Sequence, residues 1–87
     1  MGKLIVTQYT DSTGMVYKMR LNQRESDLFQ LLLNPMDTLR SFQEMREKLG
    51  MTDNLARVTK YSLTGKLPAC LDILTVYGKG YFLSESL

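Results

Sequence analysis

The chain has 87 residues, 44% hydrophobic and 23% charged, with no histidine and one cysteine. One domain is expected, burying about two-thirds of the surface of its unfolded chain; a membrane span of roughly 18 apolar residues, a histidine-based zinc site and an internal disulfide are excluded. Net charge is +2, from 11 basic and 9 acidic side chains, so any basic signal must come from position, not from the total.

In chain order, Lys3 to Tyr9 and Met15 to Arg20 are rich in β-branched and aromatic residues, and "DSTG" between them supplies turn formers. An N-terminal hairpin over 1–20 is predicted. The opening residues carry only a short apolar run, less than the roughly 7 to 15 residues of a signal peptide, so a soluble cytoplasmic protein is expected. Asn22 stands three residues before Glu25, a capping box opening a first helix over 22–33 with Leu28, Phe29, Leu31 and Leu32 as its core side. Asn34-Pro35 stops it, because proline disfavours helical geometry in the residue before it. Ser41 and Glu44 repeat the box for a second helix over 41–49, with Phe42, Met45 and Leu49 along one side and Gly50 as its end.

After the loop "GMTDN", a third helix is predicted over 55–67, capped by Thr52 or Asp53 and ended by Pro68. At 100° per residue, Leu55, Ala56, Thr59 and Leu63 gather as a buried side. Arg57, Lys60, Tyr61 and Thr64 fall opposite, a stripe of two cations, a phenol and a hydroxyl. Such a stripe suits a DNA major groove, where arginine and lysine pair with guanine edges or phosphates and tyrosine and threonine donate to phosphate or pack against a thymine methyl. Taken alone, it is equally a solvated helix face.

The closing stretch "ILTVYGKGYFL" alternates Ile73, Thr75 and Tyr77 against Leu74 and Val76, with Gly78 and Gly80 predicted to reverse the chain and Lys79 at the tip. A hairpin over 72–84 follows. Hairpin, three helices and hairpin make a winged helix-turn-helix of α+β class, the second hairpin being the wing.

Three motifs carry a resemblance: "LNQRESDLFQLLL" over 21–33, Ser41-Phe42-Gln43-Glu44-Met45, and "ILTVYGKGYFL" over 73–83, the most specific of the three. The sequence resembles the winged-helix DNA-binding effector domain of OmpR/PhoB-type bacterial response regulators, with no receiver domain among these residues. The resemblance implies a DNA-binding transcription regulator whose third helix enters the major groove while the wing meets the backbone. On that reading Arg57, Lys60 and Tyr61 read bases or nearby phosphates, Thr64 and Lys66 hold the backbone, and Tyr77 and Lys79 act from the wing. Ser62 and Thr64 stand where the family usually places arginines, and the loop after the second helix is short for a polymerase contact.

The expected partner is double-stranded DNA. With about four cations available, the grip of one copy is modest, so self-association as a dimer or in tandem, or help from another protein, is expected. Leu74, where the family is variable and often polar, is read as core packing or as a contact to a neighbouring copy. The alternative is a winged-helix module docking on a transcription regulator or RNA polymerase subunit, favoured by the low net charge and the missing arginines. No enzyme is expected: there is no P-loop, nucleophile elbow or metal-ligand spacing, and no cofactor is called for. Cys70, between Ala69 and Leu71, reads as a small buried hydrophobe.

Overall fold

The computed structural model describes residues 3–86. Strands β1 (Ile5–Thr10) and β2 (Val16–Leu21) pair antiparallel, and helices α1 (Gln23–Leu33), α2 (Phe42–Leu49) and α3 (Asp53–Thr64) follow. A two-residue strand, β3 (Arg40–Ser41), precedes α2, and β4 (Leu71–Val76) and β5 (Gly80–Glu85) form a second hairpin. The class is α+β, with strands at both ends of a three-helix centre.

Local chemistry explains each helix start. Asn22 accepts from the Glu25 amide and the Glu25 carboxylate accepts from the Asn22 amide, both at 2.8 Å, which closes the capping box of α1. Ser41 accepts from the Glu44 amide at 3.0 Å, but the second box stays half closed. The Glu44 carboxylate goes instead to Arg40 at 2.8 Å and Lys48 at 3.0 Å, two cations one helical turn away on either side. Between α2 and α3 only three residues intervene. Gly50 takes the left-handed conformation that ends a helix (φ 67°), Met51 is buried in the core, and Thr52 caps α3 by accepting from the Leu55 amide at 3.1 Å.

Helix α3 runs two residues earlier and stops three residues sooner than the predicted 55–67. Its end is set before Pro68: Gly65, Lys66 and Leu67 fold into a turn, their amides meeting the carbonyls of Tyr61, Leu63 and Thr64. Ala56, Thr59 and Leu63 form its buried side, while Leu55 is only half-buried.

Leu28, Phe29 and Leu32 of α1, Met45 of α2 and Leu63 of α3 are fully buried, and Tyr9, Met19, Leu21, Leu71, Ile73, Tyr81 and Leu83 enclose them from the two hairpins. Phe29 meets the edge of Tyr9 with ring centres 6.5 Å apart, a favoured aromatic geometry. Cys70 is half-buried against this core. The hairpins are tied by Glu85, whose carboxylate accepts from the Tyr9 hydroxyl and from the Ser12 hydroxyl at 2.6 Å. Burial, then this hydrogen bond, pushes the Tyr9 phenol up, while the Ser12 and Tyr9 donors hold the Glu85 carboxyl below the usual range.

In the second sheet the strand order is β3-β5-β4, with Arg40 opposite Tyr81 and Ser41 opposite Gly80. The two glycines of the closing hairpin therefore do different work. Gly78 has φ 72° and makes the turn. Gly80 lies under β3, where an added Cβ would stand 1.9 Å from the Arg40 carbonyl oxygen; close backbone approach requires it, not chain reversal.

Candidate nucleic-acid interface

Beyond Ile73 strand β4 leaves the core, although Tyr81, opposite Thr75 on β5, stays buried. Leu71 and Ile73 face inward, whereas Leu74, Thr75 and Tyr77 are all exposed, so the alternation of Ile73, Thr75 and Tyr77 against Leu74 and Val76 separates a packed from a free side only as far as Ile73. The projecting part is anchored by β3 and by a 3.1 Å hydrogen bond from the Phe42 amide to the Lys79 carbonyl. The position of the tip is thereby fixed relative to α2.

Between this tip and the exposed side of α3 lies a cleft of ≈ 610 Å³, lined on the helix by Asp53, Arg57, Lys60 and Tyr61 and on the hairpin by Tyr77 and Tyr81. Four of the seven sequence-derived candidates, Arg57, Lys60, Tyr61 and Tyr77, thus meet at one place. The Lys60 ammonium sits 5.2 Å from the Tyr61 ring centre and 5.8 Å from that of Tyr81, inside the range of cation–π attraction. Tyr81 packs edge-on against Phe42 at 5.3 Å, and burial pushes its phenol up against the opposing pull of Arg57. Asp53 is the acidic group of the cleft, and Arg46 offsets it at 3.2 Å.

The other three candidates lie elsewhere. Lys79 is exposed at the tip beside Gly78 and has no ion-pair partner among the described residues. Thr64, at the end of α3, donates its hydroxyl to the Lys60 carbonyl at 2.8 Å. Lys66 is not part of the stripe. It stands in the turn after α3 and pairs with Glu25 at 2.8 Å, its side chain still 38% exposed. Glu25 is buried, and Ser62 donates to its other oxygen. Burial raises the carboxyl, but the donors Lys66, Ser62 and the Asn22 amide prevail and hold it below the usual glutamate range.

One cation escaped the sequence reading. Arg24, exposed in the first turn of α1, lines a small hollow with Val58, Thr59 and Ser62 on the flank of α3 away from the cleft. No spacing rule connects residue 24 to residue 58; only the packing of α1 on α3 brings them together. Cations therefore stand on both flanks of α3, the exposed Arg24 on one and the half-buried Lys60 with the exposed Lys79 on the other.

A three-residue helix turn followed by an exposed helix, with a projecting hairpin beside it, defines a winged helix-turn-helix. Among solved structures, the crystal structure of the DNA-binding domain of Bacillus subtilis CssR is similar, with a TM-score of 0.69 and 23% sequence identity over 88% of this chain and 99% of that one. No protein-family model and no curated protein matches the chain. The fold expected from the sequence is the fold observed.

Proposed function

We propose that the protein binds double-stranded DNA and regulates transcription, laying α3 in the major groove with the β4–β5 wing on the adjacent backbone. The observation that carries this reading is the cleft where Arg57, Lys60 and Tyr61 of α3 face Tyr77 of the wing. An exposed helix with cations on both flanks matches a groove whose edges are phosphates and whose floor is base edges. Arg57 and Tyr61 point toward bases, Lys60 and Arg24 serve the two phosphate walls, Thr64 closes the helix end, and Tyr77 and Lys79 reach the backbone from the wing. The similarity to a domain that binds DNA supports the DNA-binding reading as a whole.

Replacing Arg57 and Lys60 together by alanine is expected to weaken duplex binding about 100-fold, two contacts at roughly 1–3 kcal/mol each, with only a small change in the thermal transition, because Arg57 is exposed and Lys60 only borders the core at Tyr81. Fluorescence anisotropy on DNA from the gene's own promoter region measures the first and circular dichroism the second. Unchanged binding rejects the assignment.

If Arg24, Lys60 and Lys79 each neutralise one phosphate, log K against log salt has a slope of about −3 per copy, and Arg24→Ala lowers its magnitude by about 0.9. So few contacts favour two copies on one site, which doubles the slope and gives a 2:1 stoichiometry in sedimentation. A second reading, docking on a regulator or RNA polymerase subunit, draws on the exposed Leu74 and on Tyr77, which is 98% exposed. A salt slope near zero selects it.

A further inference from the structure

The direction in which α3 faces outward differs from that of the sequence-derived stripe. Its buried side is centred on Ala56, Thr59 and Leu63. At 100° per residue, the positions opposite are Asn54 and Tyr61, flanked by Arg57 and Val58, whereas Lys60 and Thr64 lie toward the wing. The accessibilities agree: Lys60 is half-buried, while Asn54, Arg57, Val58 and Tyr61 are exposed. The outermost row of the helix is therefore Asn54, Arg57, Val58 and Tyr61.

Two members of that row have no role inside the protein. Asn22 caps α1 and Asn34 donates to the Gln30 carbonyl at 3.1 Å, but the Asn54 amide has no hydrogen-bond partner among the described residues. Val58 is 57% exposed, an aliphatic side chain turned outward between Asn54 and Tyr61. An asparagine amide matches the paired acceptor and donor of adenine in the major groove, and a branched aliphatic group matches the thymine methyl. From residue 54 to residue 58 the helix rises about 6 Å, close to two base-pair steps of about 3.4 Å, which span about three base pairs.

We propose that Asn54 and Val58 determine base specificity, reading A·T pairs within a segment of about three base pairs in which Arg57 reads guanine. This rests on the DNA-binding reading and adds the chemistry of the site it prefers. Lys60 is excluded from base reading, because the rings of Tyr61 and Tyr81 hold it toward the wing.

Binding-site selection from random duplex DNA, run with the unmodified protein and with Asn54→Ala and Val58→Ala, tests it. The unmodified protein is expected to select a site containing guanine beside A·T pairs. Asn54→Ala loses preference at one adenine by about 5- to 100-fold, and Val58→Ala relaxes one thymine by about 5-fold. Both variants keep their thermal transitions, since neither side chain enters the core. If both variants select the same site as the unmodified protein, or if that protein binds duplexes without preference, the specificity assignment falls while DNA binding stands. If the unmodified protein enriches no duplex and shows no salt-dependent binding, the DNA reading falls and this inference with it.

Discussion

Gly80→Ala is expected to remove at least about a third of the protein's stability. The new Cβ would stand 1.9 Å from the Arg40 carbonyl oxygen and 2.9 Å from the Ser41 Cα. Both are backbone atoms, so no side chain can swing aside; β3 has to move. Moving it breaks the pairing of Arg40 and Ser41 with Tyr81 and Gly80 and threatens the bond from the Phe42 amide to the Lys79 carbonyl. A cost of about 4 kcal/mol is expected, at the upper end for single substitutions, against a total of roughly 4–13 kcal/mol for a domain of this length. At about 4–8 °C per kcal/mol the transition falls by about 15–30 °C. Gly78→Ala is the control, because nothing lies near its added Cβ and only the φ of 72° opposes it, a cost of about 1 kcal/mol. Thermal unfolding of the pair decides: similar losses would mean that turn geometry, not the β3 crossing, fixes the glycines.

Glu25→Gln is the second large effect, and it depends on pH. The carboxylate is buried and receives the Asn22 amide, Lys66 and the Ser62 hydroxyl, so glutamine loses the ion pair and sets an amide against donors. A loss of about 2 kcal/mol at pH 7 is expected, the usual worth of a hydrogen bond to a charged group, discounted for the solvent that reaches the 38% exposed Lys66 side chain. The folded-state pKa lies below the ordinary glutamate value, so the contribution is complete above that value and disappears as pH falls through the folded one. Urea titrations from pH 7 down to pH 3 are expected to show the two proteins converging on the acid side. A gap that is constant with pH would assign the loss to packing instead of charge.

These residues also mark where the sequence was legible. Caps are local, so Asn22, Ser41, Thr52 and Gly50 could be read from their neighbours, and the two β-rich ends with three capped helices between them specify the fold. The Glu44 box misread had a local cause as well, competition from Arg40 and Lys48 at the same carboxylate. What the chain does not announce is long-range. The partners of Glu25 beyond its own turn lie 37 and 41 positions away, so the ion pair of Lys66 could not be read from its neighbours. Strand β3 is two residues long, too short for any periodicity, so Gly80 passed for a turn residue. The interface was legible as a stripe of charge, but its tilt toward the wing depends on tyrosine rings from two elements. Arg24 was invisible because its relation to α3 exists only through packing.

The position of Lys60 between Tyr61 and Tyr81 has a further consequence. A free lysine carries about 2 kcal/mol of rotamer entropy, and a side chain that wanders must surrender it on meeting a phosphate. Here two aromatic faces at 5.2 and 5.8 Å already narrow its range before any partner arrives. A chain with few cations gains from each one that arrives preorganised, and the longer, planar guanidinium of an arginine at residue 60 would not settle between the same rings in the same way.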